Sequence, residues 1–126
     1  MSTAARAGRI RSRATFERLR TSGSRGGSGP VRVRFVRETS WSEAQVAYAL
    51  GKKLGGAVVR NRLRRQLRAV MDDLAPGLPA GAYLVSASPD ATGLRFDELR
   101  KTMGRALESA TGRPVATPAG SPGVGR

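Results

Sequence analysis

A helical pattern between Val59 and Leu74 constrains this chain more than any other feature of its sequence. Wound at 100° per residue, the apolar side chains of this segment fall on one stripe of ordinary width. The stripe consists of Val59, Leu63, Leu67, Val70 and Leu74. Because such a stripe has to be buried, the rest of the chain must supply a layer against which this helix packs.

The remainder of the same helix is strongly basic. The segment KKLGGAVVRNRLRRQLR, residues 52–68, contains seven Lys or Arg among seventeen residues and no acidic residue. Its outward face therefore offers hardly any Glu or Asp three or four positions away, the spacing that would make a salt-bridged helix surface. The like charges on this helix repel one another. Phosphates of a nucleic acid would relieve that repulsion, because one guanidinium group can bind two phosphate oxygens. The alternative is a solvated basic face that has no partner.

The overall charge favours the nucleic-acid interpretation. The 126 residues include 23 Lys or Arg and 9 Asp or Glu, which gives a formal charge of +14 and a pI near 11.8. A chain this small and this basic is typical of RNA- or DNA-binding proteins. A membrane surface is the rival partner, but it usually requires an amphipathic helix with a large aromatic or Leu face. This chain has six aromatic residues.

Several catalytic classes are excluded by composition. The chain has no histidine and no cysteine, so Ser-His-Asp and Cys-His nucleophiles and thiolate or imidazole metal sites cannot form. The acidic pairs Asp72-Asp73 and Asp97-Glu98 are neighbours in sequence, and neighbours in a helix point about 100° apart. We expect Asp97-Glu98 to complement a helix start and Asp72-Asp73 to solvate the turn before Pro76. No catalytic or metal-binding residue is predicted.

Length predicts one domain with a modest core. We expect a flexible basic N-terminus at 1–9, the domain at 10–110, and a disordered Gly/Pro-rich tail at 111–126. The sequence has no apolar run near the roughly 20 residues of a membrane span. Its N-terminus lacks the apolar middle of a signal peptide. A cytoplasmic location is therefore expected.

The remaining patterns predict an α+β fold, a single-domain α-β sandwich in the order α-β-β-α-β-α, with a small sheet packed by helices. The first helix should cover 13–21, between a Ser12 cap and a Gly23 stop. The Gly/Ser-rich run 23–30 is expected to be a mobile loop. Alternation from Val31 predicts a strand with one buried and one basic face.

The second half of the chain completes that order. A turn at 38–43 leads to a second strand at 45–50, and the two strands are most simply an antiparallel hairpin. The basic helix follows the second strand and should end before Pro76. A third strand at 83–87 is apolar at nearly every position and so is expected to be buried on both faces. In the last helix, near 96–107, the core positions should be Phe96, Leu99, Met103 and Leu107.

The string GKKLGGAVVRNRLRRQLR resembles the signature of the protein component of bacterial ribonuclease P. That pattern runs Lys-Lys, a Gly-containing spacer, Ala-Val, and then Arg-Asn-Arg with further basic residues at helical spacing. The resemblance implies a ribosomal protein S5 domain 2-like fold. It also implies that a catalytic RNA with bound Mg²⁺ removes the 5′ leader of precursor tRNA, while the protein assists and binds no metal alone. The implied partners are the catalytic RNA and precursor tRNA, with no membrane and no obligate protein partner.

The resemblance also implies two functional surfaces. Residues expected to contact the catalytic RNA are Lys52, Lys53, Arg60, Asn61, Arg62, Arg64, Arg65 and Arg68. A cleft between the first helix and the sheet should hold the leader, with Phe16, Arg20 and Arg34 as its candidate residues. Relatives often carry aromatic residues where this chain has Leu19-Arg20 and Arg34, and Arg can both stack on a base and hold phosphate. Phe16 could equally be a core residue.

Two interpretations from other classes remain open. A general RNA-binding or ribosome-associated module would share the charge and the α+β class, but would not require Arg-Asn-Arg after Lys-Lys. A DNA-binding regulator should place its recognition helix after another helix across a tight turn. Here strands precede the basic helix.

Overall fold

A five-stranded sheet separates one helix on one face from two helices on the other. The computed structural model describes residues 8–10 and 12–112. Its strands are β1 (Gly8–Arg9), β2 (Ser24–Ser28), β3 (Val31–Arg37), β4 (Ala44–Ala49) and β5 (Gly81–Ala87), and its helices are α1 (Arg13–Ser22), α2 (Ala57–Leu74) and α3 (Phe96–Thr111). The strand order across the sheet is β1-β4-β5-β3-β2. The predicted α+β class is confirmed.

The helices begin and end close to where the sequence placed them. The Ser12 hydroxyl accepts a hydrogen bond from the Thr15 backbone N–H at 3.4 Å and so caps α1. The basic helix α2 begins after the glycine run and ends at Leu74, before Pro76. At the start of α3, the Glu98 carboxylate accepts from the Arg95 backbone N–H at 2.9 Å, as expected for an acidic residue near a helix N-terminus.

The larger core lies between the sheet and the pair α2 and α3. Leu63, Leu67, Val70 and Leu74 are all buried in it, and Leu67→Ala would cost about 2–5 kcal/mol. Two core predictions were wrong, because Val59 is 37% exposed and Phe96 is 43% exposed. Both residues lie in the first turn of their helix. The periodicity of a helix does not reveal that its first turn extends beyond the layer against which the helix packs.

A smaller core lies on the opposite face of the sheet, beneath α1. Leu19 packs there against Val36 and Ala82, with the half-buried Phe16 and Trp41 at its margin. Trp41 thus covers one edge of this core. The two cores together make the three layers of the fold.

The predicted antiparallel hairpin of β3 and β4 was wrong. β5 lies between them, antiparallel to β3 and parallel to β4. The chain therefore leaves β4, forms α2 and returns in β5, a crossover that joins parallel neighbours. β5 occupies the centre because its two faces are both apolar: Ala82 belongs to the smaller core, and Tyr83 to the larger one.

The predicted mobile loop at 23–30 was also wrong. Ser24–Ser28 forms β2, which pairs along its length with β3. A Cβ at Gly26 would lie 2.2 Å from the backbone nitrogen of Ala110 in α3. Gly26 therefore serves the close packing of α3 on an edge strand, a role that composition does not distinguish from flexibility.

Gly8 and Arg9, the last residues of the expected flexible N-terminus, pair in parallel with β4. Residues 1–7, residue 11 and residues 113–126 lie outside the described part of the chain, so the tail and domain boundaries stay predictions. α3 continues to Thr111, and Gly112 ends it in the left-handed conformation at φ 72°. Among the described helices, none combines the length and apolarity needed to cross a bilayer.

Candidate nucleic-acid interface

The face of α2 that points away from the sheet presents a cluster of basic side chains to solvent. Lys52 and Lys53 lie in a short 3₁₀ turn just before the helix and are exposed. Arg62, Arg65 and Arg68 are exposed on the helix itself. In the described part of the chain, the ion pairs join Arg18 to Glu38, Arg20 to Glu17 and Arg100 to Asp73. The two lysines, Arg62 and Arg65 are outside these pairs.

Three other predicted residues of α2 also make local contacts. The half-buried Arg60 donates from Nε to the Gly55 carbonyl at 3.3 Å, which ties the preceding turn to the helix. Arg64 donates to the Asn61 side-chain oxygen at 3.1 Å. These bonds use few of the donors that each guanidinium carries. They fix the side chains in place and leave other N–H groups for a ligand.

A groove of about 550 Å³ opens where β1 ends at one edge of the sheet. We call it the edge groove. Its walls come from α1, from β1 and β4, and from α2, and they include Arg9, Phe16, Tyr48, Arg64 and Arg68. Because Arg64 and Arg68 also belong to α2, the basic helix surface runs directly into a groove that contains two aromatic rings.

Tyr48 was not predicted as a site residue. Burial raises the pKa of its hydroxyl, the Asp72 carboxylate raises that pKa further, and the Arg68 guanidinium lowers it. The net direction is upward, so the hydroxyl stays protonated at neutral pH and can donate a hydrogen bond. The strand predicted at 45–50 included Tyr48, but nothing in the sequence pattern marked this residue as part of a site. Its place at the sheet edge depends on the length of β1, which no pattern gives.

A second groove of about 540 Å³ lies over β2 and β3. We call it the sheet groove. Its basic side chains are Arg25, Arg32 and Arg34, and its floor includes the glycine-rich backbone of β2 together with Leu84 and Ser86 of β5. A groove with arginines on its walls and glycine backbone at its base can bind the phosphate backbone of a single strand whose bases are exposed.

One row of residues joins the two grooves across the sheet. Arg25 pairs with Arg34, Arg34 with Leu84, and Leu84 with Ala47. Ala47 lines the edge groove, and the other three line the sheet groove. With neighbouring strands about 4.8 Å apart, the row spans about 14 Å. We call this row, together with the two grooves that it connects, the track beside α1.

The three predicted cleft residues are not gathered in one place. Phe16 lines the edge groove and also packs against the smaller core. Arg34 lines the sheet groove, and it donates to the Leu19 and Arg20 carbonyls at 3.4 and 3.0 Å. Arg20 is exposed beside Glu17 and lines neither groove. Arg25 and Arg32 are additional residues of the track that the predicted cleft did not include.

Comparison with known proteins gives consistent matches over most of the chain. The family model described as Ribonuclease P matches residues 4–111. A ribonuclease P protein component from Symbiobacterium thermophilum is 33% identical over 103 residues, which are 81% of this chain and 90% of that protein. The component from Thermus scotoductus is 39% identical over 95 residues, which are 75% of this chain and 55% of that protein.

Solved structures with the same fold are RNase P proteins. The Staphylococcus aureus protein superposes with a TM-score of 0.73 at 22% identity, covering 82% of this chain and 94% of that one. The Thermotoga maritima protein gives 0.70 at 21% identity, with 79% and 94% covered. At these identities the superpositions establish a shared fold.

Proposed function

This chain belongs to the ribonuclease P protein family, whose members are subunits of an endoribonuclease that contains RNA, and we propose a division of labour between its two basic surfaces. The outward face of α2 binds the catalytic RNA. The track beside α1 holds the single-stranded 5′ leader of precursor tRNA. The cleavage that yields the mature tRNA 5′ end takes place on the RNA.

The α2 face suits a folded RNA because its charges are dense and are little used within the protein. Arg62 and Arg65 are exposed on the helix, and Lys52 and Lys53 are exposed in the turn that precedes it. Binding through such residues releases counterions from the RNA, so affinity should fall steeply with salt. Arg60, Asn61, Arg64 and Arg68 complete the proposed surface. Arg64 and Arg68 also reach the edge groove and so lie at the junction of the two RNA surfaces.

The row of paired residues from Ala47 to Arg25 is the observation that carries the leader proposal. It leads from a groove with Phe16 and Tyr48 to a groove with three arginines. Aromatic rings stack on unpaired bases, and arginines hold the backbone between them. We assign Phe16 to base stacking and Arg34 to the phosphate path. Arg20 is placed at the rim, where it can reach phosphate from outside the track.

The chemical step is assigned to the RNA because the protein has no residue suited to it. The sequence lacks histidine and cysteine, the usual acid-base and nucleophilic groups. In the described part of the chain, no three acidic side chains come together as a metal site. We therefore place the Mg²⁺ of the holoenzyme mainly on the RNA. The protein increases the affinity for precursor tRNA by contacting its leader, and it cannot do so for the mature tRNA, which has no leader.

Reconstitution tests this function. The purified full-length chain should not cleave precursor tRNA, whereas the chain with its cognate catalytic RNA and Mg²⁺ should release the leader and leave a 5′-phosphate on the tRNA. At limiting Mg²⁺ the protein should also increase the preference of the complex for precursor over mature tRNA. Cleavage by rigorously RNA-free protein, or a protein that increases binding of both tRNA forms equally, would contradict the proposal.

A further inference from the structure

An exposed apolar side chain lies at the start of α2, between the turn that carries Lys52 and Lys53 and the arginines of the helix. Val58 lies in the first turn of α2 and is 82% exposed, the most exposed large hydrophobic residue of the described chain. Arg62 and Arg65 follow it at i+4 and i+7, so all three share one helix face. A Val in that position contributes nothing to the core and little to helix propensity. Its surroundings are basic, so the face as a whole is complementary to a polyanion.

Two glycines that precede Val58 in the chain are not required by the backbone conformation. Gly51 has φ −80° and Gly56 has φ −71°, which any L-residue can adopt. A Cβ built on either glycine meets no atom within 4 Å. Alanine at Gly51 would reduce the entropy of the unfolded chain without a steric penalty. Gly55 differs from them, because its φ of 132° does require glycine.

The turn between these glycines is fixed by a buried side chain and by hydrogen bonds. Leu54 is buried in the larger core. The Gly55 N–H donates to the Lys52 carbonyl at 3.1 Å, and Arg60 donates to the Gly55 carbonyl. Gly51, Gly56 and Val58 therefore flank a turn whose conformation these contacts fix. A preformed surface of this kind loses little conformational entropy when it binds.

From these observations we propose that Val58, with the bare backbone of Gly51 and Gly56, forms a close-approach contact with the sugar or base edges of the catalytic RNA. This inference rests on the proposed function of α2. Phosphate contacts through flexible Lys and Arg side chains tolerate a gap, whereas a Val methyl group gains energy only when it touches a carbon-rich surface. The wide, shallow minor groove of an RNA helix offers ribose and base edges to such a contact. Val58 would thus recognise the shape of the RNA, and the surrounding arginines would supply charge.

Charge and contact make opposite predictions for one substitution. Val58→Lys adds a positive charge to a basic face. If that face binds by charge alone, the variant should bind the cognate catalytic RNA more tightly, with a salt slope steeper by about 0.7–0.9. If Val58 is in close contact, the same variant should bind more weakly at every salt concentration. Val58→Ala should bind about 5- to 15-fold more weakly, because apolar contact area is lost. The salt slope should be unchanged, because no phosphate contact is lost.

The glycines give an independent test that separates binding from folding. Gly51→Ala and Gly56→Ser should each keep or raise the unfolding midpoint, since Ser is a preferred N-cap residue, and each should weaken RNA binding at least threefold. Gly104→Ala is the matched control: a Cβ there also meets nothing within 4 Å, but it lies on α3, so RNA affinity should not change. The full-length chain and its cognate catalytic RNA are used throughout.

Two results would overturn the inference: Val58→Ala binding within twofold of the wild type, or Val58→Lys binding more tightly than the wild type. Failure of the proposed function would look different. In that case the wild-type chain would not form a salt-sensitive complex with the catalytic RNA, and the inference would fall with it.

Discussion

The Arg34 guanidinium donates a hydrogen bond to the backbone carbonyl of Arg20 at 3.0 Å. It thereby joins the C-terminal end of α1 to the face of β3. The charge also complements the negative end of the helix dipole. One arginine thus positions α1 over the sheet and lines the sheet groove, so the width of the proposed leader track depends on it.

Replacing Arg34 should therefore affect stability as well as binding. Arg34→Met keeps the apolar stem and removes the hydrogen bonds, and it should lower the free energy of unfolding by about 1–2 kcal/mol. Arg32→Met on the same face of the same strand is the control, because Arg32 is exposed there. Urea denaturation of both variants measures the difference. Equal stability of the two variants would show that the link between α1 and the sheet is unimportant.

The glycines of β2 make a second prediction. Gly26→Ala forces a methyl group against the backbone of Ala110, Ala106 and Ser109, and should destabilise the fold by about 2–3 kcal/mol. At the neighbouring Gly27 the nearest atom to a Cβ is the Val31 carbonyl oxygen at 3.4 Å. Gly27→Ala should then be nearly neutral. Thermal unfolding of the pair checks this, and a Gly26→Ala variant as stable as the wild type would mean that α3 does not pack on β2.

Local patterns predicted the elements that carry a periodic apolar signal. α2 could be bounded from its stripe and from Pro76, and β3 from its alternation, because a helix or strand with one buried face repeats at its own period. β2 could not be predicted, since its residues pack backbone against backbone and leave no apolar side chain to count. Sequence alone reads such a run as flexible.

The contacts between elements that are distant in sequence were predicted less well than the elements themselves. The insertion of β5 between β3 and β4 is a long-range choice. The sequence indicates this insertion only through the apolar residues on both faces of β5, a pattern that is typical of a central strand. The candidate site shows the same limit. The charged face of α2 was predictable from composition and spacing, whereas the edge groove requires α1, β4 and α2 to meet at a sheet edge. Tyr48 was therefore missed as a site residue.

The basic face of α2 should show its role in the salt dependence of RNA binding. Arg62→Ala combined with Arg65→Ala leaves the apolar stripe intact, so the fold should be unaffected. The log-log slope of affinity against salt should flatten by about 1.4–1.8, if each arginine neutralises one phosphate. The double variant of Lys101 and Arg105 to Ala removes the same charge from exposed positions of α3. If both double variants change the slope equally, the RNA is responding to net charge and not to the α2 surface.

The central claim is that the track beside α1 holds the leader, and Phe16→Ala tests it most directly. The measurement is the ratio of precursor to mature tRNA affinity for the holoenzyme reconstituted with its catalytic RNA. Leu19→Ala is the control, because Leu19 is fully buried in the same small core and lines neither groove. After correction for the folded fraction, we predict that Phe16→Ala lowers the ratio by about 5- to 140-fold, the equivalent of one lost base-aromatic stack, while Leu19→Ala leaves it unchanged. An unchanged ratio in both variants would contradict the claim and would make Phe16 a core residue alone.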